Sequence, residues 1–325
     1  MNGLSLRDTT HEAKLRHIKK ELKCVIDAVT TVVFVPTCYY AFPSPLYWLI
    51  IKPETAQQKL YPEALPTLDP CPEKLVVFAI ALADAARPIS MSYFRTPIQA
   101  EIKHDKSPVT IADKEAEAKM REMIEAHFPE HGIFGEEYGP VRTDAEFIWV
   151  LDPIDGTKSF LIGKPLFGTL VGLLHKGRAI AGIVDMPALD ERWIGATGYA
   201  TKFNGMPVST RSCNSLSEAW MLSTSPEMFV GENQTAFHRL KDKVHFLRYG
   251  TDCMGYGLLA NGYADIVCEA DMSPYDYIAL TPVVEGAGGT ITDWRGNPLN
   301  LKNDGTVLAV GDKNLLKPAM AALVC

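Results

Sequence analysis

The stretch Trp149 to Phe160, reading WVLDPIDGTKSF, constrains this chain more than any other part of it. Phe147 to Leu151 is an apolar run of strand length, and Pro153 follows two residues later. Proline has no N–H to give to a ladder, so the strand is expected to stop there and the chain to turn at Asp152 and Asp155. Gly156 permits close backbone approach, and Thr157 adds a hydroxyl and an N–H. Oxygen donors grouped in this way suit a hard cation such as Mg²⁺, and exposed N–H groups suit phosphate. A plain surface turn rich in Asp and Pro would show the same letters, so the choice rests on acids elsewhere in the chain.

Several such acids stand at element ends. In Ile133-Phe134-Gly135-Glu136-Glu137-Tyr138-Gly139, two adjacent carboxylates follow an apolar pair at what reads as a strand end. They repel unless a cation intervenes, and a solvated loop pair is the plain alternative. Ser107 to Asp113 leads into Lys114–His127, where Ala116, Met120, Met123 and Ile124 recur at helical spacing, which puts Asp113 where an N-cap belongs. Farther on, Glu269 and Asp276 flank Ala270 to Tyr275, and Pro274 marks a break before the helix-like Ile278 to Val284, so Asp276 is again cap-like. Asp252 precedes the helix-like Met254 to Asn261, and capping is its plain role as well.

Taken in order, Gly135-Glu136-Glu137, then Asp152-Pro153-Ile154-Asp155-Gly156-Thr157, then Asp276 ahead of Glu285-Gly286-Ala287-Gly288-Gly289, the chain resembles the inositol monophosphatase superfamily of Mg²⁺-dependent, Li⁺-sensitive phosphatases. The match runs from about Pro72 to the C-terminus, and its specificity lies in the ordered set rather than in any one segment. Within the superfamily, Lys158-Ser159-Phe160 and Tyr249-Gly250-Thr251-Asp252-Cys253 look closest to the histidinol-phosphate phosphatases. L-histidinol phosphate is then the expected substrate, with myo-inositol phosphate and, after it, a nucleotide 3′-phosphate as alternatives. A catalytically silent scaffold is the alternative from another class, and the presence of all the acids argues against it. Histidinol carries an ammonium and an imidazole, so Asp252 and Glu269 would attract it, whereas an uncharged polyol gains little from a second carboxylate.

The resemblance also implies a ligand set. Glu136, Asp152 and the Ile154 carbonyl would hold one Mg²⁺, and Asp152, Asp155 and Asp276 a second, with Glu136 helping a third, weaker ion; Mn²⁺ is an alternative metal. Thr157, hydrogen-bonded to Asp113, would orient or deprotonate the attacking water, with the Gly156 and Thr157 N–H groups on phosphate oxygens and no covalent intermediate. Gly250, Thr251, Asp252 and Glu269 would meet the substrate beyond its phosphate. Glu137 would act as a support, and Lys158 has three open roles: binding phosphate, screening the acids, or pointing to solvent. The fold implied is the family's αβαβα sandwich with lobes at 71–205 and 206–325. A homodimer is the common family assembly.

Composition bounds the rest. With 325 residues, 47% of them hydrophobic and 22% charged, the chain can bury a large core. A net charge of −7 and the lack of a basic stripe argue against nucleic-acid binding. The seven cysteines form no C-x-x-C pair, which points away from a disulfide framework and toward a reducing compartment, and the histidines, with Pro129 between His127 and His131, form no helical ligand pair. Residues 1–70 lie outside the resemblance. Arg7, Lys14, Arg16, Lys19, Lys20 and Lys23 precede the apolar Val25 to Val35, which suggests a targeting segment, although Asp8, Glu12, Glu21 and Asp27 are unusual in one. If the source were a plant, the plastid would be the expected compartment, and otherwise the cytoplasm. Prolines and Asp27 interrupt what would otherwise approach membrane-spanning length, so no span is expected. Pro62 to Pro72 reads as a linker into a helix over Glu73 to Phe94.

Overall fold

A computed structural model describes residues 69–102 and 108–324. The extension and most of the linker expected over residues 1–70 therefore lie outside the described residues. Helix α1 (Glu73–Tyr93) buries Leu75, Ala79, Leu82, Ala83, Ala86 and Ser90, a stripe at helical spacing. It is long and apolar enough to cross a membrane by length and composition, yet this stripe is spent on the protein core. After β1 (Glu101–Ile102) and β2 (Pro108–Val109), helix α2 (Ile111–His127) runs beside α1.

A mixed sheet of eight strands follows: β3 (Gly132–Gly135), β4 (Gly139–Val141), β5 (Phe147–Asp155), then, after the short helix α3 (Thr157–Leu161), β6 (Gly168–His175), β7 (Arg178–Met186), β8 (Glu191–Ala196), β9 (Tyr199–Phe203) and β10 (Met206–Pro207). Their order is β10-β9-β8-β7-β6-β5-β3-β4, antiparallel except for the parallel β3–β5 pair. The Lys176-Gly177 and Asn204-Gly205 turns have φ of 51° and 79°, and of 45° and 83°, as two-residue hairpins of type I′ require.

A second sheet comprises β11 (Trp220–Ser223), β12 (Phe246–Tyr249), β13 (Ile266–Glu269), β14 (Thr290–Thr292) and β15 (Val307–Val310), in the order β12-β11-β13-β15-β14. The remaining helices are α4 (Glu232–Lys241), α5 (Met254–Ala260), α6 (Pro274–Tyr277), α7 (Leu280–Gly286) and α8 (Leu316–Val324). In the apolar stretch Ile278 to Val284, Ile278 and Ala279 thus form the turn after α6 and the rest belongs to α7, rather than the whole forming one helix.

Alternation along the strands sets the layers. Trp149 and Leu151 of β5 pack with α1 and α2, whereas Ile148 and Val150 pack with Tyr256, Leu259, Tyr277, Leu280 and Val283 of α5, α6 and α7. Val267, Val307 and Ala309 close that middle core from the second sheet, while Ile266, Cys268, Leu308 and Val310 face α4 and α8. The result is the αβαβα sandwich, with the helices α5 to α7 held between two sheets.

One device in this interface fixes how closely the middle helices approach the first sheet. Gly172, Gly182 and Gly195 stand opposite one another on β6, β7 and β8. A Cβ at Gly182 would lie 1.8 Å from the Ala279 carbonyl oxygen, and one at Gly195 2.3 Å from that of Pro282. The glycines form a groove that lets the chain after Asp276 lie directly on the sheet.

Pro153 does not end β5. The strand continues to Asp155, and its pairing with β6 passes from Asp152↔Leu170 to Asp155↔Gly168, which leaves one extra residue on β5. Pro153 sits within this bulge, where a ladder N–H is not required, and its carbonyl accepts from Thr169 Oγ1 at 2.8 Å.

Candidate active site

The bulge turns Asp152 and Asp155 to the same side. Asp152 is 2% exposed, and one of its oxygens accepts from the Ile154 N–H at 3.0 Å. Asp276 arrives from α6. One oxygen from each of Asp152, Asp155 and Asp276 lies within 4.8 Å of the others.

Asp113 and Asp276 were expected as N-caps and are not. The caps are Thr110 and Ser273, and the aspartates occupy the third helical position of a capping box in each case. Asp113 Oδ2 accepts from the Thr110 N–H at 2.8 Å and its hydroxyl at 2.6 Å, and Asp276 Oδ2 accepts from the Ser273 N–H at 2.7 Å. This placement lets one carboxylate both close a helix and face inward. Asp252 is likewise not the N-cap of its helix; Cys253 is, and Asp252 precedes it in the left-handed region at φ 46°.

The electrostatics are those of a crowded anionic centre. Burial, followed by the charges of Glu136, Asp155, Asp276 and Asp113, pushes the Asp152 carboxyl well above the usual carboxylate range. Burial and then Asp155 do the same to Asp276, with Glu136 and Glu269 adding to the effect. Asp155 is pushed up to about 7 by burial first and Asp252 next, against the N–H of Cys253, which donates to its Oδ2 at 2.7 Å. The donor set consists of carboxylate oxygens, and a cation would relieve the repulsion that adds to burial in raising all three. A hard divalent cation fits this set.

The other expected residues fall around this centre. Glu136 and Glu137 follow β3, and the Glu136 N–H donates to the Leu151 carbonyl at 3.2 Å, which ties the turn to β5. The Thr157 hydroxyl donates to the Ile154 carbonyl at 3.1 Å. Gly156, at φ 82°, lies against Asp252: a Cβ there would be 3.3 Å from Asp252 Cγ. Gly250 and Thr251 reach back to β11, with the Gly250 N–H donating to the Thr224 carbonyl at 2.8 Å and the Thr251 hydroxyl to the Ser223 carbonyl at 3.4 Å. Asp252 is half-buried and accepts from Ser159 Oγ at 3.2 Å; burial raises its carboxyl, and the Ser159 hydroxyl, Lys164 and Lys158 draw it back down. Glu269 is 1% exposed, with its oxygens accepting from the Thr224 N–H at 2.9 Å and the Tyr256 hydroxyl at 2.7 Å; burial outweighs both and its carboxyl is raised. Lys158 is exposed.

Sequence reasoning missed the supports. Glu117, wholly buried, accepts from the Glu137 and Tyr138 N–H groups, and it falls on the buried stripe of α2 four residues after Asp113, which was a legible signal. Lys164, whose ammonium donates to the Gly250 carbonyl at 2.7 Å, and the Cys253 N–H gave none, because each contact spans more than eighty residues.

The layered sandwich, with acids converging beside a glycine turn, is that of a phosphatase, as the comparisons with known proteins show. The sequence model of the inositol monophosphatase family matches residues 72–325, and the chain belongs to that family. It is 48% identical over 252 residues to the "Bifunctional phosphatase IMPL2, chloroplastic" of Arabidopsis thaliana, covering 75% of this chain and 73% of that protein. It is 35% identical over 233 residues to the histidinol-phosphatase of Chlorobaculum parvum, covering 71% of this chain and 90% of the relative. A solved inositol monophosphatase from Zymomonas mobilis superposes with a TM-score of 0.72 at 44% identity, over 78% of this chain and 98% of that one.

Proposed function

We propose that this chain is a Mg²⁺-dependent phosphomonoesterase that hydrolyses L-histidinol phosphate to L-histidinol and phosphate. The observation that carries the reading is the position of Asp252: it lies against Gly156 and raises Asp155, so a carboxylate stands just beyond the acidic centre, where the alcohol portion of a bound phosphoester would extend. An ammonium or imidazolium gains there and a polyol does not. Glu269, buried with its oxygens already engaged, would add to the attraction through its charge rather than by contact.

Glu136, Asp152, Asp155, Asp276 and the Ile154 carbonyl would hold the metal. Bound there, Mg²⁺ would neutralise charge on the phosphate and on the departing alkoxide. The Gly156 and Thr157 N–H groups would hold phosphate oxygens. Thr157, after exchanging its bond to Ile154 for one to Asp113, would align the attacking water, and Asp113 would take up its proton. Water adds to phosphorus as the P–O bond to the alcohol breaks, and the alkoxide leaves with a proton from solvent. Glu137 would keep the turn in place.

A second reading, hydrolysis of inositol monophosphate, is favoured by a different observation. Lys158 and Lys164 both act on Asp252 and partly offset its charge, and the Zymomonas relative is described as an inositol monophosphatase. Phosphate release from L-histidinol phosphate, inositol 1-phosphate and 3′-phosphoadenosine 5′-phosphate, each with and without EDTA, separates the two. Our reading requires a kcat/KM for histidinol phosphate at least about tenfold above the others, a margin of about 1.4 kcal/mol. Equal or inverted preference would refute it. We also propose a homodimer, and a plastid location if the source is a plant, the latter because the Arabidopsis relative is described as chloroplastic.

A further inference from the structure

We infer that Glu117 is a positioning residue that holds Glu136 in the metal centre; this rests on the metal site proposed above. Glu136 opens the turn that follows β3, and hydrogen bonds on either side of it fix where that turn stands relative to Asp152 on β5.

The restraint is visible on both sides of the turn. Toward β5, the Glu136 N–H is tied to the Leu151 carbonyl. Toward α2, Glu117 Oε2 accepts from the Glu137 N–H at 2.7 Å and Oε1 from the Tyr138 N–H at 3.2 Å. Arg121, one helical turn later, donates to Glu117 Oε1 at 2.7 Å and also reaches the Gly139 carbonyl. Glu117 is 0% exposed, and among the described residues these donors compensate its charge. Gly135 completes the seat: a Cβ there would lie 2.1 Å from Glu117 Oε1, so no side chain can stand between the turn and the clamp.

The chemistry requires a carboxylate. Three donors converge on two oxygens, and an amide would turn hydrogens of its own toward one set of them, leaving part-buried N–H groups unpaired. A neutral glutamine would keep the size and lose the clamp. Groups that orient metal-binding side chains usually cost about 10–100-fold in metal affinity when removed.

The test is Mg²⁺ binding to the full chain by isothermal titration calorimetry without substrate, with the melting temperature recorded alongside. We expect Glu117→Gln to raise the Mg²⁺ Kd about tenfold or more, and Arg121→Met, which keeps the acceptors for both backbone N–H groups, to raise it about threefold. Should Glu117→Gln fail to fold, Arg121→Met carries the test. Variants that melt earlier yet bind Mg²⁺ with wild-type affinity would overturn the inference and leave Glu117 a purely structural group. Wild-type protein that binds no Mg²⁺ would instead refute the metal site itself.

Discussion

Two kinds of buried aspartate sit in the same sandwich. Asp185, on β7, is fully buried and meets Arg87 at 2.7 and 3.1 Å and Arg192 at 2.7 Å; Asp265, just before β13, meets Arg211 at 2.6 and 2.7 Å and the Trp220 N–H at 2.8 Å. Asp152, Asp155 and Asp276 have other acids as their charged neighbours. The first kind is complete without anything from outside. The second is raised by burial and by mutual repulsion that a cation would relieve, which on our proposal is what separates a structural carboxylate from a ligand.

Exchanging one residue of each kind tests this difference. Asp152→Asn should lower phosphate release by about 10³-fold or more, roughly 4 kcal/mol, while the protein stays folded. In the absence of metal it should melt no earlier than the parent, since it has lost a source of repulsion. Asp185→Asn should do the reverse, costing about 2 kcal/mol of stability by removing the buried charge that Arg87 and Arg192 share and leaving them the exposed Asp190 and Asp84, with activity per folded molecule unchanged. Urea unfolding and kinetics on the same samples read both; a destabilised Asp152→Asn with wild-type activity would erase the comparison.

A pH series sharpens it further. The Asp155 carboxyl rises from an ordinary 3.8 to about 7 on folding, so the folded state binds more protons between these values and its stability falls as pH climbs through that window. In EDTA, the melting temperature of Asp155→Asn relative to wild type should increase from pH 4 to pH 7. With saturating Mg²⁺ at pH 7 the order should invert, because ligand at about 100 times its Kd stabilises wild type by about 2.7 kcal/mol. A difference that is flat with pH and indifferent to Mg²⁺ would mean that neither burial nor neighbouring charge holds this carboxyl up and that no cation binds beside it. The smallest effect concerns Asp252, which lies between the two kinds, with a hydroxyl donor and nearby lysines. Asp252→Ala should raise KM for histidinol phosphate about tenfold and leave inositol phosphate nearly unchanged; equal losses would count against the role given to its charge.

Much of this was legible because the chemistry sits at element boundaries. The apolar run to Leu151, the Asp-Pro-Ile-Asp-Gly turn and the helix led by Asp113 are local patterns, and each recurs in the fold within a few residues of its expected place. The departures are also local in cause. Pro153 is compatible with β5 because a bulge removes the need for its N–H, and the aspartates at 113 and 276 yield the cap to Thr110 and Ser273 three residues earlier. The long-range supports were not legible. Nothing near Gly182 in sequence says that Ala279 will lie on it, nor does anything near Lys164 point to Gly250, because such contacts exist only once the sheets are stacked. His131 shows the converse: no ligand, but a core group whose Nδ1 accepts from the Trp149 indole at 3.1 Å between stacked Phe128 and Phe147.

The central claim is that carboxylates distant in sequence form one cation site. Anomalous diffraction from crystals soaked in Mn²⁺ tests it most directly. The account predicts a strong peak bounded by Asp152, Asp155 and Asp276 that disappears in Asp152→Asn; density that bypasses this cluster, or a peak there that survives the substitution, would contradict it.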